Sequence, residues 1–591
     1  MVSWSDIKKW KSAQVDEVVE GLIDRRKKAV EVHEHVGQID VSSDWEGAGA
    51  KAAQGSLDKL KSANMKHLGL VSDLLSASQE AFEGVGEVER TVREIQEEAR
   101  AQSIDIGDDG KARDLNPPVY KRSGGYQSDS DPSADTRYGK EYMEHQERVK
   151  NIERRIEEVC KRAQEVDDAF RNRLDGAADG KVSNQEDFNN QTPGLPDLPS
   201  DMSDSKKNAQ WWHSLSDSER DAIKKKAVED IKAGRGSKYE ALGNMNGVDG
   251  ATRNEINKAR AEDENKKLHD ELKDMTNPGP GKHRIILYGS IFYARDGESN
   301  EGFTKRYNNL DKRIRETDGV IDAVKNKNVG LYLYEPATGE KGHEATHAAY
   351  VSGDIDKADH VSTFTPGMGT TVADSGGNID RMNELKNRAE AQGKGSVATV
   401  TWVGYDAPPG LTDAATTGRA ETGGRDLAKH LEGIKDMRDV SHRPVHQSVL
   451  GHSYGSTTSS YALKQVRPGV VGDYLVFGSP GVAGKAEEMH VPQGHAHSMF
   501  YTNHWGSAGD FIASPNMVGN AAKHPLGPGQ AIIFGNEGAI GHDPSDSQWG
   551  FGQMDPGKSG TMNPVEAHSK YFVDGSQAQS NMVKVAVGEA G

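Results

Sequence analysis

The chain has 591 residues, only 34% of them aliphatic or aromatic, 66 glycines and a formal net charge of −18. A single hydrophobic core stops growing at roughly 250 to 300 residues, so at least two folding units are expected. The acidity excludes a general nucleic-acid binder, whose surface needs clustered Lys and Arg, and the one cysteine, Cys160, excludes an internal disulfide framework.

Met1-Val2-Ser3-Trp4 opens a polar helix, so neither a classical signal peptide nor a membrane anchor is expected, and no segment approaches the roughly 18 apolar residues of a transmembrane segment. From Ser5 to Gln38, Ile7, Trp10, Val15, Val19, Ile23 and Val30 recur at helical spacing among charges. A second amphipathic run extends from Ala48 to Arg100, and two long helices joined by a short turn make an antiparallel hairpin. The bend holds Asp44-Trp45-Glu46-Gly47. On that Trp-x-Gly motif the hairpin resembles the WXG100-like proteins exported by type VII secretion. The resemblance implies a secreted or cell-envelope location by a route without a signal peptide, with a cytoplasmic location as the alternative. It also implies a helical protein partner or self-association through the hairpin. The tyrosine-based export signal of that group does not follow the hairpin; its clean match, Tyr307 to Asp311, lies far along the chain.

Residues 104–137 read as an Asp-, Ser-, Gly- and Pro-rich loop, and Tyr138 to Asn172 as a third, highly charged helix. The all-helical region is thus placed at 1–174, a flexible linker at 175–205 with Pro193, Pro196 and Pro199, and a second domain at 206–591. In that domain short β-rich runs alternate with helices, the pattern of a mainly parallel sheet covered on both faces. The expected strands are Arg284–Leu287, Gly330–Tyr334, Ala348–Val351, Val361–Phe364, Val397–Trp402, Val445–Leu450, Tyr474–Phe477 and Ser498–Tyr501. The fold class is α/β, with the alternation an α/β-hydrolase core requires, preceded by an all-α hairpin domain.

Gly451-His452-Ser453-Tyr454-Gly455 fits G-x-S-x-G where the strand ending at Leu450 meets a helix-competent stretch. A strand-to-helix elbow there would strain the backbone of Ser453, lift its hydroxyl off the sheet, and need small neighbours at Gly451 and Gly455. A serine hydroxyl needs a base and a carboxylate to orient it, in the chain order Ser, acid, His. Asp510 or Asp543 can supply the acid, and His568, His542 or His524 the base.

His343-Glu344-Ala345-Thr346-His347 matches H-E-x-x-H, which binds zinc when helical. Its Gly-rich surroundings and the strand-like Ala348 to Val351 make it part of a hairpin. An extended chain would hold the two histidines about 13 Å apart, so no metal is expected. His490, His495 and His497 are explained by a turn, and the acidic loop 105–109 lacks the terminal Glu of a calcium-binding loop. No cofactor is expected.

Several further motifs occur in a fixed order: Trp211-Trp212-His213-Ser214-Leu215, Gly243-Asn244-Met245-Asn246-Gly247 with Asp249 and Arg253, Asp359-His360-Val361 with Pro366-Gly367-Met368-Gly369, Trp402-Val403-Gly404-Tyr405-Asp406, the Ser453 pentapeptide, Gly478-Ser479-Pro480-Gly481, and His568-Ser569-x-Tyr571. Over roughly Trp211 to Phe572 the chain is thereby similar to the actinobacterial α/β-hydrolase family known as DUF1023. The resemblance implies a Ser453, Asp510, His568 triad. The turn Pro366–Gly369 follows a strand where the first oxyanion loop should stand, so the N–H of Met368 or Gly369 is expected to join that of Tyr454 in an oxyanion hole. The expected activity is hydrolysis of a carboxylic ester, on a small molecule or lipid, through an acyl-enzyme. The alternative is an interaction or delivery protein associated with type VII secretion, whose hydrolase fold is inactive.

Overall fold

The computed structural model describes residues 2–39, 47–118, 136–179, 195–414, 416–501, 541–558 and 564–591. Trp45, Asp510, His524 and residues 180–194 of the expected linker lie outside the described residues. The chain divides into two compact units, Met1–Leu195 with Ser214–Asp217, and Pro196–His213 with Ser218–Gly591. None of the described helices is long and apolar enough to cross a membrane.

In the first unit, α1 (Trp4–Ile7) and α2 (Ser12–Gln38) replace the single helix expected from Ser5. A capping box between Ser3 and Asp6 starts α1. α3 (Ala48–Ala101) packs along α2, and α4 (Thr136–Ala178) packs along α3. The helix therefore continues to Ala178, into the stretch read as linker. The expected loop after α3 begins instead with a hairpin of β1 (Ile104–Ile106) and β2 (Ala112–Asp114). Val88, Val92, Ile95, Ile152, Ile156 and Ala163 form its apolar seam with Trp4 and Ile7.

The second unit opens with residues already packed upon it: Tyr239 Oη donates to the Pro196 carbonyl, and Ser205 Oγ donates to Asp436. Its early elements are α5 (Ser205–Ser214), α6 (Asp217–Lys232), α7 (Gly250–Thr276), β3 (Lys282–Leu287), β4 (Ser290–Arg295) and α8 (Asn300–Asn326). The expected strand at Arg284 does exist, but β3 pairs only with β4 in a separate two-stranded hairpin. The main sheet comprises β5 (Gly330–Glu335), β6 (His347–Ser352), β7 (His360–Thr365), β8 (Val397–Val403), β9 (His446–His452), β10 (Asp473–Phe477), β11 (Ala496–Met499) and β12 (Gly552–Gln553). Their order is β12-β11-β10-β9-β7-β8-β6-β5. β7 to β12 run parallel, and β6 is antiparallel to both β5 and β8. β11 ends at Met499, so Tyr501 lies past the strand expected to contain it.

Side chains alternate across the sheet, as the two-residue strand period requires. Ala398, Val400, Trp402, Val449, Tyr474 and Val476 face one layer with Leu427, Leu431 and Ile434 of α10 (Gly418–Val440) and Ala462 and Leu463 of α11 (Tyr454–Leu463). Val397, Leu450, Leu475 and Phe477 face the other, with Met382 and Leu385 of α9 (Gly376–Ala391) and Met582 and Val583 of α13 (Gln577–Ala586), which follows α12 (Pro564–Ser569). A strand covered on both faces loses the alternation of apolar and polar positions, and β8 is buried at every position.

The Gly243–Arg253 motif closes the β5 edge. Asn244 Oδ1 accepts the Tyr334 N–H at 3.1 Å and its Nδ2 donates to the Tyr334 carbonyl at 2.8 Å. Asp249 caps α7 and accepts the Trp212 indole N–H, while buried Arg253 donates to the Gly243 carbonyl and lies 3.8 Å from the Tyr332 ring centroid. These polar side chains satisfy backbone groups that an edge strand would otherwise leave unpaired.

Candidate active site

β9 ends at His452 and α11 begins at Tyr454, which leaves Ser453 alone at the junction. Its backbone sits at φ 54°, ψ −134°, a region that a residue with a Cβ rarely enters. Ser453 N–H donates to the Phe477 carbonyl at 3.1 Å and its carbonyl accepts the Ser456 N–H at 2.9 Å, so the strain is held by neighbouring elements. The two flanking glycines are required by space. A Cβ on Gly455 would stand 2.1 Å from the Thr365 carbonyl oxygen, and one on Gly451 would stand 2.5 Å from Ser459 Oγ and 2.7 Å from the Ser456 Cα. The side chain of Ser453 is thus presented at the carboxyl end of the sheet, beside the start of a helix.

The loop after β7 closes on it. A Cβ on Gly367 would stand 2.5 Å from Ser453 Cβ and 2.9 Å from its Oγ. Gly367 is therefore the backbone wall of the site, a role its place in Pro-Gly-x-Gly hints at but cannot fix. Of the two oxyanion donors expected from this turn, Gly369 has its N–H committed to the Pro408 carbonyl at 2.8 Å. A donor already engaged is not available to a developing charge. No described residue accepts the Met368 N–H, and the Tyr454 N–H, first in its helix, has no intrahelical acceptor. Tyr405 Oη fixes the loop by donating to the Pro366 carbonyl at 2.9 Å.

His568 stands on α12 and is brought to the elbow: its ring centroid lies 4.7 Å from that of His452, whose Nε2 lies 3.0 Å from the His568 carbonyl oxygen. Burial pushes His452 well below the usual imidazole range, and the neighbouring His568 adds to that, so His452 is a neutral ring that donates to the carbonyl. Tyr571 continues the same segment. Its Oη accepts the Tyr501 N–H at 3.1 Å and the two rings lie 4.7 Å apart, which ties the start of the segment leading to Asp510 to the segment carrying His568. Asp510 itself is outside the described residues. Asp543 is buried, and its Oδ1 accepts the N–H and Oγ–H of Ser545 at 2.9 and 2.7 Å. His542 forms a backbone bridge with Val482 and stacks on Trp549, with centroids 3.7 Å apart.

The H-E-x-x-H segment departs from the expected geometry. It lies in the β5–β6 connection as anticipated, yet the His343 and His347 rings are 5.1 Å apart. The chain between them is curled, because the N–H groups of Glu344 and Ala345 both reach the Asp406 carboxylate at 2.9 Å. Buried His347 lies between Asp406 and Glu335, with Nε2 3.2 Å from Asp406 Oδ1 and Nδ1 3.5 Å from Glu335 Oε2. Burial opposes its charged form, but the hydrogen bonds and charges of these two carboxylates outweigh burial and lift its pKa to about 9. In the other cluster, His490 Nδ1 meets the Val466 carbonyl at 2.5 Å and His495 Nδ1 meets Asp473 at 2.9 Å.

Residues 341–510 match the model of a protein family described as Alpha/beta hydrolase. The sheet-bearing region has the α/β-hydrolase fold. Among curated proteins, the chain is similar to an uncharacterized protein of Mycobacterium tuberculosis, 29% identical over 409 residues, which cover 64% of this chain and 55% of the relative. An uncharacterized protein of Mycobacterium bovis is 34% identical over 165 residues, covering 26% of this chain and 60% of the relative. The chain spans little more than half the length of the curated relatives it matches. No solved structure gives a significant match. The α/β-hydrolase match supports a hydrolase, and the matched segment contains both the Ser453 elbow and the Pro366–Gly369 loop.

Proposed function

We propose that the chain is a serine hydrolase that cleaves carboxylic esters of a small molecule or lipid. The observation that carries this reading is the left-handed backbone of Ser453 at a strand-to-helix elbow, with Gly367 packed against the serine. His568 takes the Oγ proton as Oγ attacks the ester carbonyl carbon. The oxygen charge that develops is held by the N–H groups of Tyr454 and Met368. The C–O bond to the alcohol then breaks, and His568 returns the proton to the departing alkoxide. Water, deprotonated by His568, attacks the acyl-enzyme, and the carboxylic acid leaves with Ser453 reprotonated. Asp510 orients His568, with Asp543 as the alternative acid; a loss of turnover in Asp510→Asn that Asp543→Asn does not share separates the two.

The test is hydrolysis of short p-nitrophenyl esters together with labelling by a fluorophosphonate probe. Both are expected to fall to background in Ser453→Ala with the fold intact. Equal labelling of Ser453→Ala and the native chain would remove Ser453 from the chemistry.

A further inference from the structure

The H-E-x-x-H segment is not used by the serine chemistry, and the structure gives it a different third partner. Glu335, the last residue of β5, and His347, the first of β6, are directly paired across the two strands. The connection returns His343 to the same place: the N–H groups of Thr338 and Gly339 both donate to its carbonyl, and its own N–H donates to the Glu340 carbonyl. Glu335 Oε2 then lies 3.5 Å from His347 Nδ1 and 3.9 Å from His343 Nδ1. One ligand atom from each of the three residues lies within 4.8 Å of the others, and among the described residues this is the grouping of that kind.

The hydrogen-bond roles favour a cation at the centre. The buried Asp406 carboxylate faces His347 Nε2, which fixes that nitrogen as the donor. The other nitrogen, Nδ1, faces the carboxylate of Glu335, and it carries a proton there in the charged ring or turns a lone pair there in the neutral one. Two acceptors facing each other repel unless a proton or a metal ion lies between them. A carboxylate holding the far nitrogen of a histidine is also how metal-ligating imidazoles are oriented. A zinc ion about 2.0–2.1 Å from each ligand needs ligand atoms roughly 3.3 Å apart, which small side-chain rotations from the present distances provide. The His343 and Glu335 side chains are 43% and 37% exposed, which leaves an open side for water.

Glu344, which would be the general base of a helical H-E-x-x-H protease, is turned away. Its carboxylate pairs with Arg419 at 2.8 Å. We propose that Glu335, His343 and His347 form a site for a divalent transition metal of the zinc type, oriented by Asp406, which braces the β5–β6 connection against the loop after β8. That loop is the one whose Pro408 carbonyl holds the Gly369 N–H. The site stands at the carboxyl edge of the sheet, separated from β9 by β7 and β8. Its role is structural support of the oxyanion loop, with the metal outside the ester chemistry.

The experiment is titration of the chelator-treated full chain with Zn(II) by calorimetry, and with Co(II) by visible absorption, whose intensity reports four-coordinate geometry. The native chain is expected to bind one equivalent. His343→Gln and Glu335→Gln should lose that equivalent while keeping the native circular dichroism spectrum, since both side chains are partly exposed. Asp406→Asn should weaken binding by about 10- to 100-fold. Glu344→Gln should bind as the native chain does. Native binding that survives unchanged in both His343→Gln and Glu335→Gln would overturn the site, as would failure of the native chain to bind either ion. Loss of binding in Glu344→Gln equal to that in His343→Gln would overturn the ligand set proposed here.

Discussion

The two units bury their apolar residues in different ways. In the helical unit one seam of each long helix is covered and the solvent side is rich in charge: Ile95 and Ile152 are fully buried, while the outer faces carry pairs such as Arg162–Glu87 and Arg173–Glu80. In the sheet unit whole strands disappear from solvent, including their hydroxyls; Ser362, Thr363 and Ser448 are buried, and Ser448 Oγ donates to Ser362 Oγ. A helix seam tolerates adjustment by sliding and rotation. A strand buried on both faces fixes every side chain at once, and only such a frame can hold a serine in a backbone region it would otherwise avoid.

The sharpest way to break this comparison is at the elbow. Gly455→Ala places a Cβ against the immovable Thr365 carbonyl, and overpacking of this kind costs about 3 kcal/mol or more when backbone must shift. Loss of ester hydrolysis by at least two orders of magnitude is expected, read alongside the melting temperature. Activity close to native in a folded Gly455→Ala protein would show that the elbow does not have this geometry.

A smaller effect separates the units. Phe364→Ala empties a fully buried site in the sheet layer, and Ile95→Ala does so in the helical seam. Substitutions of these types cost about 3–5 and 2–5 kcal/mol respectively. Calorimetry should show two transitions, with Phe364→Ala lowering one and Ile95→Ala the other. A single transition lowered by both would join the units into one cooperative body. The same division predicts that a fragment starting at Pro196 folds and retains hydrolysis, whereas one starting at Lys206 is less stable, because it loses the contacts of Pro196 and Ser205 with the sheet unit.

The smallest effect is electrostatic. Hydrogen bonding from Arg306 holds Glu298 down to about 2, below the ordinary glutamate value of 4.5. A depressed carboxylate contributes stability that is present above the unfolded value and lost as pH falls through the folded one. The window is therefore roughly pH 4.5 to 2. Solvent screening limits the contribution to the order of 1 kcal/mol. Urea midpoints of the native chain should fall in that window more steeply than those of Glu298→Gln; parallel slopes would assign the acid limb to other carboxylates.

Periodicity and composition alone pointed to a helical region ahead of a sheet region, to the alternation of strands and helices, and to the elbow. Those rest on local signals: apolar runs of strand length, helix-length amphipathic stretches, and glycines two positions either side of Ser453. Tertiary structure decided what local pattern leaves open. β3 reads in sequence like a member of the main sheet, and only its pairing with β4 sets it apart in a separate hairpin. Gly369 and Met368 are equivalent in sequence as backbone donors, and the distant Pro408 carbonyl distinguishes them. His343 and His347 are far apart if the chain between them is extended. They meet because Asp406, just over sixty residues further on, gathers the intervening N–H groups. Each of these outcomes depends on a partner remote in sequence, and a pattern with a period of two or 3.6 residues carries no record of such partners.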